Sequence, residues 1–341
     1  AVPIQIAGTT GQVVADAGSY VQARMPVVRV DLRVRAAYVS RRVTQLPTTD
    51  SAWSNAFSSV LGELNDLHIL EQASDDTYYV GFVPKRTFGL AGIGYVPGNA
   101  SLTFDVPSSP RAVQETLTHE LGHNFSLPHA PCGGPARPDP AYPYANAQLG
   151  GPGRYIWGYN AVTRTFTDPR RTNIHDIMSY CNGDTFSDYN YRKMQVFQTP
   201  SDRAVRQATP TGRQELLLVS GQIADTKAEL TPVKSLFGQA KPPASGPYTL
   251  RITTSQGTVD VPFAAKEIDH VSTVQHFAFT IPHPGAVVGM SIVKDGAMLM
   301  DNRAKPAGTE RAKRLATEKP QVQATQQGGM LRLTWDHTQY P

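Results

Sequence analysis

Three histidines and a glutamate lie within eleven residues of this sequence, in the stretch HELGHNFSLPH that runs from His119 to His129. Imidazole is a common ligand of transition metals, and residues four apart on a helix share one face, so His119 and His123 can bind one ion. Glu120 points away from that pair but can reach a water held by the ion. HExxH also occurs by chance, and two ordinary surface histidines are the alternative explanation.

The third ligand decides the kind of metal site. Catalytic zinc sites use three protein ligands and leave one position for water. No glutamate occurs between Leu121 and Gln214, which excludes the arrangement in which a later helix supplies a carboxylate. His129 is the available third ligand, provided that the helix ends after Phe125 and the chain turns sharply. Pro128 favours this turn, because the residue before a proline is disfavoured in the helical conformation.

The helices that must position these residues can be traced along the chain. The helix that carries His119 is predicted over SSPRAVQETLTHELGHNF, with Ser109 as N-cap, Pro110 at the first position and apolar residues at four-residue steps. An earlier helix is predicted in TTDSAWSNAFSSVLGELNDL, capped by Thr49 or Asp50. A short later helix is predicted over DYNYRKMQVF.

Strands are predicted around these helices. The alternation in VVRVDLRVRAAYV, residues 27–39, indicates a half-buried strand, and TYYVGFVPK indicates another. GLAGIGYVPGNASLTFDV predicts two short strands around a Pro-Gly turn. The order strand, helix, strand, strand, helix indicates an α+β fold, in which a mixed twisted sheet packs against helices.

At 341 residues the chain is expected to form more than one domain. Residues 1–198 are predicted to form the domain that carries the histidines, and the polar residues 199–214 a linker. Residues 215–304 show strand-type alternation without helical periodicity, which predicts an all-β immunoglobulin-like sandwich. Residues 305–341 are predicted to be a basic linker and a last strand pair, which resembles the opening of a further, truncated domain.

Composition narrows the classes of partner. Hydrophobic residues make up 40% of the chain and charged residues 18%, as in a globular protein. The formal charge of +4 comes without a Lys/Arg run interleaved with aromatics, which argues against nucleic acid as a partner. No apolar run reaches the roughly 18 residues of a membrane span. The start, AVPIQIAGTT, lacks the pattern of a signal peptide, so either one has been removed or the protein is intracellular.

Two motifs together resemble those of a known family. HELGHNFSLPH is similar to HExxHxxGxxH, the extended zinc motif of the metzincin metallopeptidases, and HDIMSYC, from His175 to Cys181, resembles the Met-turn of that family. The resemblance covers roughly residues 27–197. The WGYNAVTRTF stretch is most similar to bacterial secreted metzincins related to mucin-cleaving enzymes.

The resemblance implies a secreted, extracellular zinc endopeptidase that hydrolyses a protein or glycoprotein substrate. The implied zinc ligands are His119, His123 and His129. Glu120 would act as general base on the attacking water. Met178 would pack beneath the metal, and Tyr180 would approach the zinc and then swing to the oxyanion of the substrate. The alternative is that Tyr180 packs in the lower subdomain and that Tyr189 or Tyr191 lies nearer the site.

The family fold also implies a disulfide. Cys132 and Cys181 each lie three residues past a landmark of the site, His129 and Met178, and the family fold places those landmarks close together. A disulfide would indicate an oxidising compartment outside the cytoplasm. Two buried free thiols are the alternative.

Three further positions carry expectations. Gly92–Val96 resembles the edge strand along which an extended substrate pairs, although an ordinary edge strand explains the pattern equally well. Ser126 replaces the glycine of the family, where a positive φ costs other residues about 1–2 kcal/mol. His175 and Asp176 are expected to be structural. No role at the metal is expected for the remaining histidines: His68, His270, His276, His283 and His337.

A function of another class remains possible on the sequence alone. The chain could be a non-catalytic secreted protein whose sandwich binds a surface glycan or protein and whose metal site is vestigial. The intact Glu120 favours the enzyme, because a site without catalysis has no need of that base.

Overall fold

A computed structural model describes residues 1–151, 153–170, 174–199, 212–303, 323–327 and 330–334. The helices are α1 (Ala17–Gln22), α2 (Asp50–Leu70), α3 (Pro110–Asn124) and α4 (Asp188–Phe197), with a 3-10 helix at Ala145–Ala147. The strands before α4 are β1 (Val2–Ile6), β2 (Thr9–Thr10), β3 (Tyr38–Val39), β4 (Tyr79–Val83), β5 (Gly92–Val96), β6 (Ala100–Phe104), β7 (Gly150–Gly151), β8 (Arg154–Tyr155), β9 (Gly158–Asn160), β10 (Thr165–Thr167), β11 (His175–Asp176) and β12 (Gly183–Thr185). The strands after α4 are β13 (Gln214–Ala224), β14 (Lys227–Leu230), β15 (Lys234–Gly238), β16 (Tyr248–Thr254), β17 (Gly257–Phe263), β18 (Lys266–Ile268), β19 (Val271–Pro282), β20 (Val287–Lys294), β21 (Ala297–Arg303), β22 (Gln323–Gln327) and β23 (Met330–Thr334). None of the helices in these ranges is long and apolar enough to cross a membrane.

Helix α2 lies where the sequence predicts it, because a cap and an apolar stripe agree. Thr49 is the N-cap, and its hydroxyl accepts a hydrogen bond of 3.2 Å from the N–H of Ala52. Phe57, Leu61 and Leu64 are fully buried. Each of these side chains stabilises the fold by roughly 1.5–3 kcal/mol through its removal from water.

The sheet of the N-terminal part is mixed and runs in the order β5–β6–β4–β1. β6, β4 and β1 are parallel, whereas β5 is antiparallel to β6 and forms with it the predicted hairpin. Helices α2 and α3 both pack against β5 and β6. The α+β prediction for this part is confirmed, and β5 lies beside the helix that carries the histidines.

The strand predicted over residues 27–39 is wrong for most of its length. Only Tyr38–Val39 forms a strand, which pairs parallel with β1. Val28 is fully exposed, and the Arg33 side chain is 86% exposed. Alternation produces a strand only where a neighbouring edge and a core face are free, and part of the edge of β1 is already occupied by β2.

Strands β13 to β21 form two sheets around one apolar core. One sheet contains β13, β14, β15, β18 and β19, and the other runs in the order β17–β16–β20–β21. Val219 and Phe277 of the first sheet and Leu250 and Ile252 of the second are buried in the same cluster. An all-β unit is therefore present, and its immunoglobulin-like character stays a prediction.

The predicted borders of this unit fall largely outside the described residues, at 200–211 and 304–322. Beyond them, β22 and β23 form the antiparallel last pair that the sequence predicts.

The N-terminal and C-terminal parts are joined through a shared sheet. β18 pairs antiparallel with β5, so that β13, β18 and β19 continue edge to edge into β5, β6, β4 and β1. Helix α2 packs against β13 and β19 on the same border. There the hydroxyl of Ser220 donates to Asp66 at 3.0 Å, and Lys241 Nζ contacts Asp75 at 2.9 Å.

Candidate metal centre

Helix α3 brings the first two histidines together as predicted. His119 and His123 are both buried, and their ring centroids lie 4.8 Å apart. Ser109 occupies the N-cap position, although its side chain makes no capping hydrogen bond, and Pro110 is the first helical residue. The predicted apolar stripe is buried at Val113, Leu117 and Leu121.

The turn after α3 carries His129 back to the helix. Ser126 has a φ of 69°, and its N–H donates to the carbonyl of His123 at 2.8 Å. The N–H of Leu127 donates to the carbonyl of Gly122 at 3.1 Å. These two bonds are those of a Schellman motif, which normally takes glycine at the left-handed position. The sharp turn predicted from the sequence is present, with a serine at that position.

Each histidine of the cluster is oriented through its Nδ1 atom by a main-chain carbonyl. The pairs are His119 with Ile177 at 2.7 Å, His123 with Leu127 at 2.7 Å and His129 with Ala136 at 3.1 Å. A carbonyl oxygen only accepts, so Nδ1 carries the proton in each pair. In the neutral imidazole, Nε2 is then left with a lone pair.

These lone pairs converge, and the donor set fits a transition-metal cation. His119 Nε2 and His123 Nε2 are 3.1 Å apart, and the ligand atoms of the three histidines and Asp269 all lie within 4.8 Å of one another. Acceptors at such distances repel one another unless a cation lies between them. Burial, followed by the neighbouring imidazoles of His123 and His129, lowers the pKa of His119 well below its ordinary value. A neutral ring is the form that coordinates a metal.

Glu120 lies beside the cluster in a space that two glycines leave open. Its side chain is buried, and Oε2 has no hydrogen-bond partner in the described parts of the chain. A Cβ atom at Gly92 would lie 2.6 Å from Glu120 Oε1, and one at Gly94 would lie 3.2 Å from Oε2. The glycines of β5 therefore let the strand approach the carboxylate. Burial, with a further contribution from the Asp269 carboxylate, raises the pKa of Glu120 well above its ordinary value.

The HDIMSYC segment packs directly beneath α3. Met178 is fully buried, and a Cβ atom at Gly122 would lie 2.4 Å from its sulfur. Asp176 holds the segment in shape, because its carboxylate accepts from the N–H of Met178 at 2.8 Å and from the N–H of Ser187 at 2.7 Å. These contacts agree with the structural role expected of Asp176. His175 is half-buried and points to the carbonyl of Asn146, at 2.9 Å.

Cys132 and Cys181 form a disulfide, with Cα atoms 5.7 Å apart. The predicted pairing is confirmed, and the alternative of two free thiols is wrong. The bridge ties the segment after the third histidine to the end of HDIMSYC. Beside it, the N–H of Tyr180 donates to the carbonyl of Cys132 at 3.0 Å.

The hydroxyl of Tyr180 reaches the histidine cluster. It lies 3.1 Å from His129 Nε2 and 3.0 Å from His270 Nδ1. The rings of Tyr180 and His270 are stacked, with an angle of 14° between their planes. The hydroxyl is therefore within reach of a ligand of the centre, and its movement during catalysis stays a prediction.

Two residues beside the three histidines are not among the site residues that the sequence predicts. Asp269 and His270 form the turn between β18 and β19, and Asp269 Oδ2 lies 3.1 Å from His123 Nε2 and 3.4 Å from His129 Nε2. His270, for which no role at the metal is expected, lies beside the cluster, with its Nε2 2.8 Å from Asp269 Oδ2. An Asp-His pair between two strand patterns signals a turn, but no ligand spacing links it to a motif so far away in the chain.

The other histidines lie away from the centre where they are described. His68 is buried with its Nε2 at 2.9 Å from the carbonyl of Thr77, and His276 is buried against Tyr95. His337 lies outside the described residues.

Comparison with known proteins gives one family. Residues 89–210 match the family model described as Peptidase M66. The matched segment contains β5, α3, the three histidines and the HDIMSYC segment, so it supports a metallopeptidase. No curated protein matches the chain.

Proposed function

We propose that this protein is a secreted zinc-dependent endopeptidase of the metzincin type, similar to bacterial enzymes that cleave mucin-like glycoproteins. The observation that carries the proposal is the set of three Nε2 lone pairs that converge beside the buried, unpartnered carboxylate of Glu120. Residues 1–198 would form the catalytic domain and residues 215–304 an accessory domain. The match to a peptidase family over residues 89–210 supports the hydrolytic part.

The residues divide the chemistry between them. His119, His123 and His129 would hold the zinc, which supplies a Lewis acid and lowers the pKa of a coordinated water toward about 7. Glu120 takes the proton of the attacking water and passes it to the leaving amine. The burial that raises the pKa of Glu120 favours the second step, in which the protonated carboxyl group donates to the leaving amine, whereas the first step uses the carboxylate form.

Tyr180 would stabilise the negative charge that develops on the carbonyl oxygen of the substrate. Its hydroxyl is already beside the third histidine, so a small rotation carries it to the reacting group. One donor of this kind commonly contributes about 2.7–4 kcal/mol to transition-state stabilisation.

Secretion is supported by the disulfide, because such bonds persist in oxidising compartments. The substrate is then an extracellular protein or glycoprotein, and the two-sheet unit after α4 is available to bind a surface ligand.

The substitution Glu120→Gln tests the assignment of Glu120 as the general base. The variant keeps the three imidazoles and should retain one equivalent of zinc, measured by mass spectrometry of the metal, while hydrolysis of casein falls by about 10²–10⁴-fold. Glu115→Gln is the control, since Glu115 lies on the same helix and pairs with Arg111 on the surface. Undiminished hydrolysis by Glu120→Gln would contradict the assignment of the base.

The non-catalytic binding protein is the second candidate, and one observation favours it. Asp269 and β18 lie where the metal and the substrate would be approached. Zinc bound by the three histidines, with no cleavage of any substrate even after removal of the Asp269 carboxylate, would support this candidate over the enzyme.

A further inference from the structure

The turn between β18 and β19 enters the metal centre from the C-terminal part of the chain. Ile268 is paired with Tyr95 of β5, and the N–H of Asp269 donates to the carbonyl of Gly94 at 2.9 Å. His270, the second residue of the turn, has a φ of 62°. The turn is thus fixed through main-chain bonds to the strand beside Glu120.

The carboxylate of Asp269 is buried beside three histidines. His270 Nε2 is the nearest, at 2.8 Å from Oδ2, but the pair lacks hydrogen-bond geometry. Oδ2 has no hydrogen-bond partner in the described parts of the chain, and the side chain is 9% exposed. It faces Nε2 of His123 and Nε2 of His129, the nitrogens left without a proton by their carbonyl partners. A carboxylate aimed at imidazole lone pairs is unfavourable as it stands and becomes favourable when all of them bind one cation.

The same turn follows the path of an extended substrate. A peptide that adds to the free edge of β5 would run along it and place a carbonyl group near the histidines. β18 occupies that edge in antiparallel orientation, and the residue that follows it reaches the cluster. The chain therefore presents its own strand, with a carboxylate where a substrate would carry its scissile bond.

We infer that Asp269 is the fourth protein ligand of the metal and that β18 and its turn hold the peptidase in a latent state. This inference rests on the proposed function, because it takes the three histidines as the other ligands. Three histidines leave a position for water, whereas a site with four protein ligands is closed and lacks the nucleophile. Activation requires the turn to leave the centre, which opens both the water position and the edge of β5.

The latent state is stabilised because the contact between the turn and the metal centre is intramolecular. The turn is tethered to strands that pack on α2, so its effective concentration at the centre far exceeds that of a dissolved peptide. A substrate must displace both the carboxylate and the β5–β18 pairing.

The test reads metal coordination directly, in the full chain loaded with Co²⁺ in place of zinc. The visible spectrum of Co²⁺ reports its ligands, and acetohydroxamate serves as a small probe that needs an open position. In the wild type, the probe should alter the spectrum only at high concentration. In Asp269→Ala and Asp269→Asn, the probe should bind on the order of tenfold more tightly, and Co²⁺ affinity should fall by about 10–100-fold.

Comparison of the two variants distinguishes the loss of the metal ligand from a change in the shape of the turn. Asparagine keeps the size of the side chain and removes only the anionic ligand. Glu267→Gln is the matched control on β18, since the Glu267 side chain is 58% exposed and pairs with Arg137 at 3.8 Å. It should leave the spectrum and the probe affinity unchanged. Equal probe affinity in the wild type and both Asp269 variants would overturn the inference.

Activity provides the second readout and separates this inference from the proposed function. Asp269→Ala should cleave casein faster than the wild type, by on the order of tenfold for each 1.4 kcal/mol by which closure is favoured. This gain should vanish in the double variant with Glu120→Gln. If the histidines bind Co²⁺ but both Asp269 variants behave as the wild type, the inference of a latent state is refuted. The proposed peptidase function is unaffected by that result. If the wild type and His119→Ala bind Co²⁺ equally weakly, the metal centre itself is refuted, and latency with it.

Discussion

At the scale of single residues, main-chain carbonyls determine which nitrogen of each histidine faces the centre of the cluster. Leu127 shows how closely this depends on the turn, because its N–H closes the Schellman motif while its carbonyl accepts from His123 Nδ1. This geometry requires Ser126 to adopt the left-handed backbone conformation, with a φ of 69°. The histidine motif could be predicted from the sequence because its spacing is local, and the strain at Ser126 could be anticipated for the same reason.

Replacement of Ser126 by glycine should stabilise the protein. Left-handed backbone costs a non-glycine residue about 1–2 kcal/mol, and the extra freedom of glycine in the unfolded chain offsets about 0.4–1 kcal/mol of that gain. The free energy of unfolding, measured by urea denaturation, should therefore rise by about 0.5–1 kcal/mol. Ser126→Ala keeps the strain and should show no rise. A glycine variant less stable than the wild type would mean that the serine side chain contributes a contact of its own.

At the scale of elements, the centre depends on close packing among three segments: helix α3, the HDIMSYC segment and strand β5. Helix α3 meets the HDIMSYC segment at Gly122, where any side chain would collide with Met178, and it meets β5 at Gly92. Helices α2 and α3 and the β5–β6 hairpin were predictable, because Thr49, Pro110 and the Pro-Gly turn are local signals, whereas the short α1 was not predicted. The strand predicted over residues 27–39 was wrong for most of its length, since its alternation does not reveal that β2 already occupies part of the edge of β1.

The disulfide should stabilise the arrangement of these segments. The cysteines are 49 residues apart, and in the chain-entropy model a bridge over such a loop contributes roughly 3–4 kcal/mol. The double variant Cys132→Ser/Cys181→Ser should lose about that much free energy of unfolding. Dithiothreitol should lower the urea midpoint of the wild type to that of the variant and leave the variant unchanged. A midpoint that is insensitive to both treatments would show that packing alone holds the two segments.

At the scale of the whole molecule, the border between α2 and the C-terminal strands buries groups that titrate. His276 contacts the hydroxyl of Tyr95 at 2.8 Å and that of Ser58 at 3.2 Å. Burial, followed by the positive charges of Arg42 and Lys266, lowers its pKa to about 4. This contact, like the approach of Asp269 to the three histidines, was not predictable from the sequence, because β18 and β5 meet through backbone atoms that carry no sequence signal.

This border should weaken in acid. His276 is neutral in the folded protein and has a pKa of about 6.5 when unfolded, so its contribution is complete above about pH 6.5 and is lost as the pH falls toward 4. The free energy of unfolding should drop by about 1–2 kcal/mol more between about pH 7 and pH 5 in the wild type than in His276→Gln, which does not titrate. Equal drops in urea titrations of the two proteins would assign the acid sensitivity to other groups.

The shared sheet has a consequence for how an opened molecule would behave in a crowded solution. When β18 leaves β5, a row of unpaired N–H and C=O groups is exposed, and such an edge adheres to any extended chain that it meets. The β18 turn of a second molecule carries the matching sequence. Opened chains at high concentration should therefore exchange these turns and form domain-swapped dimers, in which the β18 turn of each molecule inhibits the other. Dilution would favour opened monomers with a free β5 edge. The activity per molecule of enzyme should therefore rise as the protein concentration falls.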